Sequence, residues 1–221
     1  MATEGVWKLA YGGDVNILKH KATSDKSLLS KLDDNERMPL HWAASGAKFE
    51  VVEFLLEKGV PVNVVDDSGW SPLHIAASVG HAGIISALIG QKAEINVVNH
   101  TGQTPLHYAC SRDRIEVAEL LLDNGADPSI SDGNGATPLH RASSKGNLEI
   151  VKLLLQFNCR VDATDKQGNT PLHLACEEER KEAATTLVEH GASLDILNKE
   201  EKSPLSLAPP GLARSLQRLK E

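Results

Sequence analysis

A chain of 221 residues that is 41 % hydrophobic and 24 % charged has an ordinary soluble composition, and with only 4 % aromatics its core must come from Leu, Ile, Val and Ala. A formal charge of −7 argues against nucleic acid, whose phosphates call for a dense Lys/Arg field. Cys110, Cys159 and Cys176 have no metal-ligand spacing and suggest reduced thiols, and neither a signal peptide nor an apolar run of the ~18 residues a membrane span needs is visible, so a cytoplasmic and nuclear protein is expected.

In chain order, Lys8-Leu9-Ala10 reads as a degenerate copy of a pattern that becomes explicit at Pro39-Leu40-His41. Pro-Leu-His then recurs at His74, His107, His140 and His173 in steps of 33 residues, and Pro204-Leu205-Ser206 keeps the register with Ser for His. A fixed period of this length predicts stacked units rather than a globular core. We count seven units in one domain over 1–221: an N-terminal cap to about residue 36, full repeats over about 37–201, and a C-terminal cap over about 202–221.

Each unit reads as turn, helix, helix. Ser71, Thr104, Thr137, Thr170 and Ser203 precede the prolines and suit the N-cap, and proline fits the first helical position, where no N–H is needed. The first helix carries small residues (Ala43-Ala44, Ala76-Ala77, Ala109-Cys110), and the second carries apolar bulk, as at Val51, Val52, Leu55 and Leu56. Second helices are expected to end in a left-handed residue at Gly59, Gly125, Asn158 and Gly191, with Lys92 the exception in the same register. Between units, Asp66-Asp67-Ser68-Gly69 and its counterparts predict β-hairpin tips. The fold class is therefore an all-α solenoid with hairpin tips, its first helices lining a concave face.

The recurring histidines cannot share a zinc ion, because layers about 8–10 Å apart cannot bring them within the ~2 Å a ligand needs. They read as imidazoles bonding the turn backbone and the N-cap hydroxyl of their own repeat. No nucleophile elbow, dinucleotide fingerprint or phosphate loop is present, so no catalytic residues, metal or cofactor are expected. The functional candidates lie where the repeat varies. Arg37, Asp67 and Trp70 are at tips, Trp42 follows a repeat histidine, and Arg112, Arg141 and Lys145 form a basic middle between acidic tips and Glu177-Glu178-Glu179. Segregated charge favours a complementary protein partner; the tryptophans are either binding anchors or half-buried framework. Leu174, Cys176 and Glu178 match Leu-x-Cys-x-Glu, a short docking signature for the retinoblastoma pocket, here on framework positions of a helix.

Thr-Pro-Leu-His followed by Ala-Ala or Ala-Cys resembles the ankyrin signature over nearly the whole chain. The segments Leu40-His41-Trp42-Ala43, Gly69-Trp70-Ser71-Pro72, Gly168-Asn169-Thr170-Pro171 and Asn198-Lys199-Glu200-Glu201-Lys202 are similar to the gankyrin family within it. That resemblance implies an ankyrin-repeat solenoid that is no enzyme but an assembly chaperone for the base of the proteasome regulatory particle. Its concave face would bind the C-terminal domain of one proteasomal ATPase subunit, with Arg37 and Arg112 gripping acids and Asp67 a basic side. The alternative it implies is a cell-cycle regulator binding a cyclin-dependent kinase, the retinoblastoma protein or a ubiquitin ligase acting on p53. A monomer without nucleic-acid or membrane partners is expected. Lys92 and Ala208-Pro209-Pro210-Gly211 depart from the family pattern.

Overall fold

Proline sets where the helices begin. In the computed structural model, which describes residues 5–157 and 159–220, six helices open on the repeat proline: α3 (Pro39–Ser45), α5 (Pro72–Val79), α7 (Pro105–Ser111), α9 (Pro138–Lys145), α11 (Pro171–Glu177) and α13 (Pro204–Leu207). Each is followed by a partner: α4 (Phe49–Glu57), α6 (Ala82–Gly90), α8 (Ile115–Asp123), α10 (Leu148–Gln156), α12 (Lys181–Glu189) and α14 (Pro210–Arg218). Before them stand α1 (Val6–Gly12) and α2 (Val15–Ser24), with a 3₁₀ turn at Lys26–Ser30. First helices pack on first helices of the neighbouring pairs, and second helices on second helices.

Small residues make that stacking close. Ala43, Ala44, Ala76, Ala77, Ala109, Cys110, Ala142, Ala175 and Cys176 have no exposed surface. The second helices fill the remaining space with triplets spaced i, i+1, i+4: Val51, Val52 and Leu55; Ile84, Ile85 and Leu88; Ile150, Val151 and Leu154. That spacing puts all three on one helix face. Truncating a Leu or Ile among these to Ala costs roughly 2–5 kcal/mol, the more the less its cavity collapses. The Pro209-Pro210 pair does not break the last unit: Pro210 takes the first position of α14, and Leu212 and Leu216 are buried behind it.

The tips differ from expectation. No strand occurs among the described residues: each tip closes with a single backbone bond across its turn, such as Asp66 N–H to Trp70 O at 2.9 Å, and gathers two further amides onto one side chain. The Oδ1 of Asp66 accepts from the N–H groups of Ser68 (3.0 Å) and Trp70 (2.8 Å). Asp33, Asn99, Asp132, Asp165 and Asn198 repeat this at the same two offsets. Neighbouring tips are joined by single backbone bonds, such as His100 N–H to Ser68 O at 3.1 Å and Gly133 N–H to Thr101 O at 2.7 Å.

Glycine is required here twice over. At Gly102 φ is +75°, and an added Cβ would lie 2.7 Å from the backbone nitrogen of Gly133 in the next tip. At Gly59 φ is also positive, but nothing lies within 4 Å. Gly59→Ala therefore meets only the left-handed strain of roughly 1–2 kcal/mol, whereas Gly102→Ala must also push two tips apart. Denaturant melts should show Gly102→Ala as clearly the more destabilised; equal losses would mean the tips are not in close contact.

Lys92 adopts the left-handed conformation (φ 64°) that Gly59, Gly125 and Gly191 have in the same register, while Asn158 lies outside the described residues. Lys92→Gly should raise the denaturation midpoint by an amount corresponding to ~1 kcal/mol. A lowered midpoint would show that the Lys92 side chain contributes more than its backbone costs.

Candidate binding surface

The histidines do more than cap their own helix. Nδ1 of His74 accepts the backbone N–H of Ser71 at 3.1 Å, while Nε2 faces the carbonyl oxygen of Gln103, in the next tip, at 2.9 Å. His41, His107, His140 and His173 make the same bridge, to Trp70, Ala136, Asn169 and Lys202 at 3.0–3.2 Å. The expected bonds within one repeat are present, the Ser71 hydroxyl for instance lying 3.0 Å from His74 Nδ1, and to them Nε2 adds a reach into the next repeat, so each ring spans two. A carbonyl partner requires hydrogen on Nε2, and an amide partner requires a lone pair on Nδ1, so the working form is the neutral Nε2–H tautomer.

Burial favours that neutral form. It pushes His74 and His107 from the ordinary 6.5 down to about 4, and lowers His41, His140 and His173 as well, despite backbone hydrogen bonds that work the other way. The unfolded chain therefore takes up protons below pH ~6.5 that the folded chain refuses, at His74 and His107 until about 4. Stability should be full above pH 6.5 and fall steadily from there toward pH 4, by up to ~1.4 kcal/mol per pH unit for each such ring. Thermal melts across this range test it, with His107→Gln expected to flatten the slope; a midpoint constant down to pH 5 would contradict neutral bridging rings.

The tip carboxylates and amides keep one polar atom facing the groove between tips and first helices. Asp33 Oδ2 accepts from Trp42 Nε1 at 2.8 Å. Asp66, which is buried, takes Arg37 Nε at 2.9 Å. Asn99 Nδ2 donates to the Tyr108 hydroxyl at 2.8 Å, and Asn198 Nδ2 to Asn169 Oδ1 at 2.7 Å. Asp132 pairs with Arg141 and lies 3.5 Å from Gln103 Nε2. Burial alone would raise Asp132; the bond from Arg141 and the tip amides outweigh it and hold the carboxyl below its ordinary value.

The candidate residues therefore divide. Arg37 and Arg141 are engaged inside the chain, and the Arg37 guanidinium also sits 5.6 Å from the Trp42 ring centre. Trp42 and Trp70 are half-buried; Trp42 meets Tyr11 edge-on at 6.2 Å, and Trp70 packs against Tyr108 at 4.2 Å. Asp67, Arg112 and Lys145 are exposed, and Arg112 and Lys145 have no ion-pair partner among the described residues. Arg114 donates from Nε toward Ser78 O at 3.4 Å, as Arg180 does to Ser144 O at 3.1 Å. These arginines tie neighbouring repeats together.

Leu174, Cys176 and Glu178 lie along α11 and its C-cap. Cys176 is fully buried, Glu178 is exposed and loosely paired with Arg180 at 3.7 Å, and Leu174 is half-buried at the groove rather than in the core. Burial also pushes the thiols of Cys110, Cys159 and Cys176 upward, the last two to about 11 and about 12, so none is a ready thiolate. A polar groove of about 450 Å³ lies between α9, α11 and the two tips beside them, lined in part by Asn134, Arg141, Lys145, Asp165 and Leu174. Sequence reading passed over Tyr108. The signal for Tyr108 was present in the column Trp42, Ile75, Tyr108, Arg141, Leu174, spaced one repeat apart. No helix among the described residues is long and apolar enough to cross a membrane.

A family model of ankyrin repeats matches residues 6–99, 40–132 and 125–199. The 26S proteasome non-ATPase regulatory subunit 10 of mouse and that of human are each 52 % identical to the chain over 58 residues, 26 % of this chain. That match covers 25 % of the mouse protein and 26 % of the human one, so it spans about a quarter of these relatives. Among solved structures, the ankyrin repeat domain of Bcl-3, a member of the IkappaB protein family, superposes with a TM-score of 0.84 at 25 % identity, over 98 % of this chain and 99 % of that one. The ankyrin repeat domain of human ASB11 gives 0.85 at 28 % identity, over 98 % and 97 %.

Proposed function

The chain belongs to the ankyrin-repeat family, and on that premise we propose that it is a seven-repeat assembly chaperone for the base of the proteasome regulatory particle. It works in the cytoplasm and nucleus as a monomer, binding the C-terminal domain of one proteasomal ATPase subunit. The observation that carries this reading is the 58-residue stretch 52 % identical to a proteasome regulatory subunit. The open face of tips and first helices supports it, with Arg112 and Lys145 exposed along that face and without an ion-pair partner among the described residues. Members of the family bind proteins by such faces, and an open surface without a closed polar pocket suits binding rather than turnover. Occupying one subunit's outer domain would block its premature docking. The cell-cycle alternative draws no support from α11: Cys176 has no exposed surface, whereas a Leu-x-Cys-x-Glu peptide docks extended.

Of the two arginines assigned to the partner's acids, Arg112 is exposed, while Arg37 is held by Asp66. Arg112→Glu should weaken binding of the isolated ATPase C-terminal domain about tenfold or more and leave the melting midpoint unchanged. Arg37→Glu should lose less affinity and lower the midpoint, because it sets two carboxylates together at a buried tip. Calorimetric titration at low salt measures both. Wild-type affinity in Arg112→Glu would reject the groove model.

A further inference from the structure

Six tips among the described residues present the same side-chain device, and five of them complete it. Asp33, Asp66, Asn99, Asp132 and Asn198 each engage their second polar atom with a neighbouring side chain, as described above. Those neighbours occupy two repeat positions. One lies nine residues after the tip residue: Trp42, Tyr108 and Arg141. The other lies 29 residues before it: Arg37 for Asp66, Gln103 for Asp132, Asn169 for Asn198.

At Asp165 these two positions hold Leu174 and Ala136, neither of which has a side-chain hydrogen-bonding group. Oδ1 accepts the amides of Gln167 and Asn169 at 2.9 and 2.8 Å, but Oδ2 has no hydrogen-bond partner among the described residues. The missing side chains leave room, since Ala136, Leu174 and Asp165 all line the groove of about 450 Å³. We propose that this groove is a recognition pocket for an arginine side chain of a protein partner, whose guanidinium completes the Asp165 tip as Arg37 completes Asp66. The chain's own Nε–Oδ2 contact of 2.9 Å supplies the template. A planar guanidinium with several donors suits a carboxylate flanked by the Asn134 and Gln167 side chains, and the aliphatic Leu174 gives its stem a surface. The cations nearby do not oppose this: Arg141 is neutralised by Asp132, and Lys145 stands exposed at the rim, where solvent screens it. His140 and His173, which also feel Asp165, are held neutral by burial.

The pocket rests on the proposed function only for the identity of the partner; its chemistry is tested without one. The full chain, ¹⁵N-labelled, is titrated with Nα-acetyl-arginine methylamide and, separately, with the glutamine and lysine analogues. Saturable shifts centred on the amides of Asn134, Gln167 and Leu174, with arginine bound best, are expected. Asp165→Asn keeps the tip, since Asn99 and Asn198 already close theirs through Oδ1, and should raise the arginine Kd at least about tenfold. Ala136→Arg should fill the pocket from within, abolishing the shifts and raising the melting midpoint. A glutamine or lysine response equal to that of arginine, or arginine binding that survives both substitutions, overturns the proposal. Absence of ATPase-domain binding by the wild-type chain would instead sink the proposed function while leaving the arginine titration to be read on its own.

Discussion

Everything in this rod depends on one imidazole satisfying two backbone groups that belong to different repeats. The N-cap amide of its own helix needs an acceptor and the carbonyl of the next tip needs a donor, and a neutral histidine is the one side chain of that size offering both at opposite ends. The bridge fixes the distance from each helix start to the following turn, which is why Pro-Leu-His returns every 33 residues with so little variation. It also makes each repeat incomplete alone, since half of its histidine's bonding lies in its neighbour. Burial of these rings then follows from stacking and keeps them in the neutral form the bridge requires.

The tips add a second layer of the same logic. Asx side chains gather their own turn amides and leave one atom to be met across the groove, so the charges lining the face are sorted by whether the chain already uses them. Arg37, Arg141, Arg114 and Asp66 are engaged in holding neighbouring repeats together or closing tips. Asp67, Arg112 and Lys145 stay exposed, the last two without an ion-pair partner among the described residues. The surface available for recognition is therefore narrower than the count of charged residues suggests, and its gaps are as informative as its charges.

Much of the architecture was legible in the residues. The repeat fixed the helix starts, Ser and Thr marked the caps, and the left-handed Lys92 followed from register alone. What could not be read was pairing. Asp66 finds Arg37 from 29 residues away, Asp132 finds Arg141 nine residues on, and Arg114 reaches back 36 residues to Ser78. The first and last of these cross from one stacked layer to the next and the second joins a tip to its own first helix, and no local propensity announces any of them. The hairpins were misjudged for a related reason: Asp and Asn near Gly signal a turn equally well whether strands or a side-chain-capped loop follow. Leu174 was read as framework, although its column elsewhere holds Trp, Tyr and Arg.

The last repeat carries Ser206 where the five before it carry histidine, and its hydroxyl reaches back only to Ser203 O at 2.7 Å. Serine cannot make the forward bridge, so the imidazole bridge of the α13–α14 pair is the one from His173 to Lys202 O. In a quasi-one-dimensional stack each layer opens at a free energy set by its immediate neighbours. With Ser206 in the histidine position, the α13–α14 layer shares one imidazole bridge with its neighbours where each layer from α5 to α12 shares two, so its amides are expected to exchange at a lower opening free energy than theirs.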